Sequence, residues 1–193
     1  MRQQPSDLYA QPRDLLLEAE RDYGRHATVD TCLTLLEGSL DFDQLPVPMT
    51  YLAGSHALMQ MERGYLEDRN QTHWPRIWAA RGFLYVWTDY AEDGVVTALA
   101  DPHARVREMT AKIVALRELH TASDALLTLV HDTEPRVQVA ALRAATVVGE
   151  KIHLSAVGDV VSDDRSVQIA QSSAQRALRR RLDVAIYGAH AAR

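Results

Sequence analysis

The stretch that decides the fold is DTEPRVQVAALRAATVVG, residues 132–149. It opens on an acidic turn, carries a proline three residues later and closes on a glycine. Asp132 is placed to accept from the free N–H groups of a starting helix, and Pro135 falls in the first turn, where proline is tolerated. Val137, Ala140, Ala144 and Val147 then follow at offsets 0, 3, 7 and 10, an apolar stripe of helical period.

The same offsets recur on both sides of this block. Ile77, Ala80, Leu84 and Trp87 carry them in WPRIWAARGFLYVW, residues 74–87. Val106, Met109, Ile113 and Leu116 carry them after Asp101, and Val167, Ala170, Ala174 and Ala177 after Ser162. The first stripe residues stand 29, 31 and 30 apart. Short apolar stretches at 95–100, 126–130 and 157–161 lie between, each ending in a polar turn. One unit of short helix, turn and longer helix cannot bury its stripe alone, so a period near 31 implies stacking. The chain is therefore read as all-α, a right-handed α–α superhelix of helical repeats.

Around that array, residues 1–11 read as a flexible arm, 12–73 as N-terminal helices forming a cap or degenerate repeats, 74–187 as the array and 188–193 as a tail. A first helix runs from Pro12 with Leu15, Leu16, Ala19 and Tyr23 on one face, and Gly24 stops it. Thr28 or Asp30 is the expected cap of a second helix carrying Cys32, Leu33, Leu35, Leu36 and Leu40. Two prolines make 41–48 a linker. One long helix is predicted over 49–68, with Leu52, His56, Met59, Arg63 and Leu66 on one track. Gly54 and Gly64 lie inside it and are read as points of close helix packing.

The pattern D-x-x-x-R-V-(R/Q)-x-x-A, with A-A-L-R-A-A before a terminal Gly, resembles the HEAT repeat, and more closely the short HEAT-like repeats of the phycobilin-lyase type. Asp132, Arg136, Val137, Ala140, Ala141, Leu142, Ala144 and Gly149 carry the resemblance, as do Asp101, Val106 and Arg107 one unit earlier. Ser162, Gln138 and Gln168 depart from it. In such repeats the turn Asp and the Arg tie neighbouring units together. Here the pairing expected is Asp101 with Arg107. The resemblance covers about residues 74–182 and implies a concave surface lined by the second helix of each unit.

Composition bounds the function. The chain has 193 residues, 47% hydrophobic and 24% charged, enough for one domain or a small array. No apolar run approaches the roughly 18 residues of a membrane span, and the N-terminus lacks the apolar segment of a signal peptide. A single cysteine, Cys32, excludes an intrachain disulfide and fits a reducing cytoplasm. It is read as a buried small hydrophobe. Net charge is −5: residues 1–90 hold 8 basic and 13 acidic side chains, and 91–193 hold 13 of each. No domain-wide basic field is present. Only two of the basic residues are lysines, a bias of GC-rich coding.

Catalytic patterns are missing from the sequence. It has no glycine-rich phosphate loop, no G-x-S-x-G elbow and no histidines at metal-ligand spacing. His26, His73, His103 and His153 are read as turn histidines at the surface, and Asp41 and Asp43 as solvated. No cofactor, no metal and no enzymatic activity are expected.

Rotation about each second helix nominates partner-binding residues. Trp78 lies about 100° from Ile77 and is predicted to face the groove. The same projection selects Arg107 and Glu108, Gln138 and Val139, and Gln168 and Ile169, with Glu118 and Arg176 further along. Arg176, Arg179 and Arg180, with Arg181, form the one cationic cluster visible in the sequence. A mixed Arg, Glu, Gln and aliphatic floor suits a protein segment better than phosphate. The reading is a non-catalytic, cytoplasmic HEAT-repeat scaffold that binds a protein through its concave surface. The alternative is a HEAT-like nucleic-acid-binding or DNA-repair protein of glycosylase type, using the arginine cluster, with Asp89 near Trp87 as its acid. A lyase or chaperone for a small ligand at the aromatic cluster ranks third.

Overall fold

The computed structural model describes residues 3–61 and 64–191, and among them every regular element is helical. The chain divides into two compact units, Met1–Ala98 and Leu99–Arg193. The first of the four repeated blocks thus belongs with the N-terminal helices, and the other three make up the second unit. No helix of the described residues is long and apolar enough to cross a membrane.

The N-terminal unit begins with α1 (Pro12–Tyr23) and α2 (Arg25–Leu36). Gly24 separates them at φ +87°, a left-handed value that favours glycine. The second helix therefore starts at Arg25, and Thr28 lies inside it, donating its hydroxyl to the Gly24 carbonyl at 3.0 Å. Thr28 and Asp30 are not its caps. Cys32 is buried on α2 as expected, and burial pushes its thiol pKa up to about 12.

The long helix predicted over 49–68 is instead three short ones, α3 (Thr50–Ala53), α4 (Ser55–Gln60) and α5 (Tyr65–Asp68). Gly54, at φ +57°, and Gly64, at φ +80°, break it. The reason at Gly54 is tertiary. The Ser55 N–H donates to the Leu8 carbonyl at 2.8 Å, and a Cβ on Gly54 would collide with that oxygen. Arg63 of the expected apolar track lies outside the described residues, as does the side chain of Met59.

Residues 3–11 are anchored rather than loose. Tyr23 Oη donates to the Gln3 carbonyl at 2.9 Å, Thr50 Oγ1 donates to Gln4 Oε1 at 2.6 Å, and Ser6 bonds Glu18 through both its N–H and its hydroxyl. The 41–48 linker likewise buries Leu45, Val47 and Pro48. Its Val47 N–H reaches Thr31 Oγ1 at 2.9 Å. Helix α6 (His73–Gly82) packs on α2, and a Cβ at Gly82 would stand 2.7 Å from Cys32 Sγ, so this close approach needs glycine. Because α6 stops at Gly82, Leu84 and Trp87 do not extend its stripe. Phe83 and Val86 are buried in their place. Helix α7 (Glu92–Thr97) ends the unit.

The C-terminal unit holds α8 (Ala104–Arg117), α9 (Ser123–Leu129), α10 (Pro135–Val148), α11 (His153–Gly158) and α12 (Arg165–Ala191). Helix α10 packs against α8 on one side and α12 on the other, with α9 also against it. Its expected core residues Val137, Ala140 and Ala144 are buried, and so are Ala141, Leu142, Ala145 and Val148. The backbone of α12 continues through Ala191, past the tail boundary read at 188.

The three turns share one hydrogen-bond device. The side-chain oxygen of Asp101 accepts from the His103 N–H at 2.7 Å, that of Asp132 from Glu134 at 2.9 Å, and that of Ser162 from Asp164 at 3.2 Å. Each of these turns is followed by a long helix one residue later, at Ala104, Pro135 and Arg165. Ser162 thus replaces the expected aspartate without changing the turn.

A direct test of the broken helix compares two alanine substitutions. Gly64→Ala, whose Cβ would meet only the Asp68 carboxylate at an ordinary 3.9 Å, is expected to cost about 1–2 kcal/mol from its left-handed backbone. Gly54→Ala is expected to cost more, because the Leu8 carbonyl must also move, and urea unfolding midpoints would rank the two.

Candidate functional site

On α8, Arg105, Glu108, Lys112 and Leu116 fall within about 80° of one another at 100° per residue. On α10 the equivalent positions are Arg136, Val139, Arg143 and Val147, and on α12 they are Ser166, Ile169, Ser173 and Ala177. Arg180 lies on the same α12 face and Arg176 at its edge. This face is the solvent-facing one: Leu116, Arg136, Arg143, Ser166, Ile169, Ser173, Arg176 and Arg180 are exposed.

Its electrostatics are one-sided. Glu108 is only 6% exposed, and its carboxylate accepts from Arg105 Nη1 at 2.6 Å and Lys112 Nζ at 2.6 Å, with Arg136 Nη1 of the next helix at 3.8 Å. One sunken carboxylate therefore holds three cations, two of them on its own helix and one across the helix pair. The three cationic side chains remain substantially exposed, at 41%, 41% and 52%. Arg143 extends the basic row one heptad along α10. Leu116 and Ile169, 53% and 59% exposed, set aliphatic surface among these charges.

The residues nominated from the sequence separate into two groups. Trp78 does not face a groove: it is buried in the N-terminal unit and stacked on Trp74 with ring centroids 6.1 Å apart. Gln138 is buried on α10. Glu108 lies on the face but is sunk beneath its cations. Arg107 is turned away, about 200° from Arg105. Gln168 is exposed but gives its amide to the Ser162 carbonyl at 2.9 Å. Arg176, Arg179 and Arg180 are exposed on α12, and Arg181 donates to the Gly149 carbonyl.

Arg107 has a structural task. Its Nε and Nη2 donate to the two carboxylate oxygens of Asp132 at 2.7 and 2.9 Å, and its Nη1 donates to the Asp101 carbonyl at 2.9 Å. The tie between turns thus exists, and it joins Arg107 to the aspartate of the next turn as well as to the Asp101 carbonyl. The side chains are 16% and 7% exposed. Burial by itself raises the Asp132 carboxyl pKa. The Arg107 hydrogen bond, the Glu134 N–H and the guanidinium charge outweigh it and hold the carboxyl below its usual range.

His153 and Asp89 have local partners. His153, read as a surface turn histidine, is buried, with Nε2 at 2.9 Å from the Ser123 carbonyl and Nδ1 accepting from the Glu150 N–H at 2.9 Å. Asp89 is exposed and accepts from the Trp87 indole at 3.3 Å. No group of three or more His, Cys, Asp or Glu able to hold a metal occurs among the described residues.

Sequence reasoning missed Arg105, Lys112, Arg136 and Arg143. The signal was there: a basic pair seven residues apart, repeated 31 residues later. No family profile, no curated protein and no solved structure matches the chain.

Replacing Asp132 with Asn keeps the turn acceptor and removes the charge. The folded-state pKa lies below the unfolded value of about 3.9. The pair's stabilisation is therefore complete above that value and is lost as pH falls through the folded-state pKa. Asp132→Asn is expected to cost about 1–3 kcal/mol at pH 7, a gap that narrows in acid. Urea denaturation of both proteins across acidic and neutral pH measures it.

Proposed function

We propose that this protein is a non-catalytic helical scaffold of HEAT-like units, with the right-handed superhelical handedness of that repeat. Its second-helix face binds an acidic, amphipathic protein segment. The observation that supports this reading best is the interleaving of cations and aliphatics on α8, α10 and α12. Arg105, Lys112, Arg136, Arg143 and Arg176 supply charge without an exposed carboxylate among them, while Leu116 and Ile169 supply exposed apolar contact.

Phosphate backbones are held by charge and hydrogen bonds and draw little from exposed leucine and isoleucine. An amphipathic helix with an acidic rim uses both features, in the helix-in-groove manner. The charge supplies orientation and association rate, and the aliphatic contacts supply salt-resistant affinity. The repeat pattern, the shared turn device and the Arg107–Asp132 tie favour the HEAT-like reading of the unit.

The second reading, a nucleic-acid binder, is favoured by the exposed Arg176, Arg179 and Arg180 on one helix. The two readings separate in one experiment, fluorescence anisotropy with a Glu/Leu amphipathic helical peptide and with duplex DNA. For a peptide binder, Arg136→Glu combined with Arg143→Glu is expected to weaken peptide binding at least about tenfold, as charge reversal at a contact does. Leu116→Ser is expected to weaken peptide binding as well and to leave DNA binding unchanged. DNA bound more tightly than peptide, with no effect of Leu116→Ser on either, would sink the peptide reading.

A further inference from the structure

The N-terminal unit contains a cavity of about 250 Å³. Residues 8–12 form one wall, held there by the Ser55 N–H bond to the Leu8 carbonyl. Trp78 and Arg81 of α6 form another, and Leu52, Gly54 and His56 line the third side. Leu8, Leu15, Leu52, Ala53 and Trp78 are among its lining residues, and most of the exposed lining is polar. No aspartate or glutamate lines it.

Arg81 is the anomaly. Its Nη2 donates to the Leu52 carbonyl at 2.8 Å, but its Nε is buried and has no hydrogen-bond partner. No carboxylate of the described residues pairs with it. Arg81 is half-buried, and the cost lies in the one buried Nε donor left unmade. Burial lowers the Arg81 pKa from its ordinary value, with the nearby Tyr85 opposing the shift.

The geometry points to a binding site for a small carboxylate with a compact apolar or aromatic body, its carboxylate on Arg81 and its body against Trp78. An arginine presents planar donors that match a carboxylate. A pocket below the roughly 300 Å³ of drug-sized sites limits the occupant to a small molecule. Contact of the ligand body with Trp78 and the lining leucines favours an organic carboxylate over a bare inorganic anion. This site is separate from the cationic face of the other unit and does not depend on the function proposed for it.

The test titrates the full-length protein with sodium benzoate, with benzamide as the neutral isostere and with inorganic phosphate, read by NMR chemical shifts. Benzoate is expected to bind saturably, shifting the Trp78 indole, the His56 ring and the Arg81 Nε signals. Benzamide and phosphate are expected to bind at least about tenfold more weakly, the difference a charge-assisted hydrogen bond makes. Arg81→Gln is expected to lose benzoate binding by a similar factor while leaving benzamide unchanged. Absence of saturable benzoate binding, equal binding of benzamide, tighter binding of phosphate, or full benzoate affinity in Arg81→Gln would each overturn the assignment. The wild-type comparison of benzoate with benzamide decides the matter even where the variant does not fold.

Discussion

The C-terminal unit depends on one helix against which three others pack. Helix α10 receives α8 on one flank and α12 on another, and its side chains at 140, 141, 144 and 145 are all alanine and all buried. Small side chains let two neighbours approach the same backbone, while Val137, Leu142 and Val148 fill the remaining space. Interiors are packed to crystal-like density, so a larger residue in that alanine set has no room to occupy. The outer helices then inherit their orientation from α10. What α8 and α12 show to solvent is fixed by what they must give to α10.

That constraint explains why the cationic face is where it is. With Val106, Ile113 and Val114 committed to the interior, Arg105, Lys112 and Leu116 are turned outward. The turns fix the remaining freedom. Asp101, Asp132 and Ser162 shape three equivalent turns, and Arg107 spans two of them with a bidentate ion pair. A tie of this kind sets the register between units, and the Arg107 guanidinium is thereby taken out of any binding surface. The one carboxylate on the outer face, Glu108, is neutralised in place.

Much of this was legible in the sequence because it is local. Gly24 as a stop, the polar turns, the buried starts of the stripes and the inert Cys32 follow from spacing and residue type. The stripe's far end was misjudged for a geometric reason. Offset 10 lies about 80° from the stripe's first residue and offset 11 only about 20° from it. Leu116 is accordingly exposed and Val147 and Ala177 half-buried, whereas Val148 and Leu178 are interior. The nominated positions 107 and 138 lie about 200° around their helices from 105 and 136, on the side turned away from the outer face. The break at Gly54 was not legible, because its cause, the Leu8 carbonyl, is 46 residues away in the chain. The orphaned Nε of Arg81 was hidden for the same reason. Burial without a partner is a property of the assembled unit, and nothing adjacent to Arg81 in sequence announces it.

The central claim is that α10 organises the C-terminal unit, and native-state hydrogen exchange reads it most directly, since protection grades a structure by the free energy of opening each segment. The account predicts that the amides of residues 140–145 exchange more slowly than any others in that unit and that they open only with its global unfolding. If those amides exchanged as fast as the amides of α11, α10 would not be the element on which the unit is built.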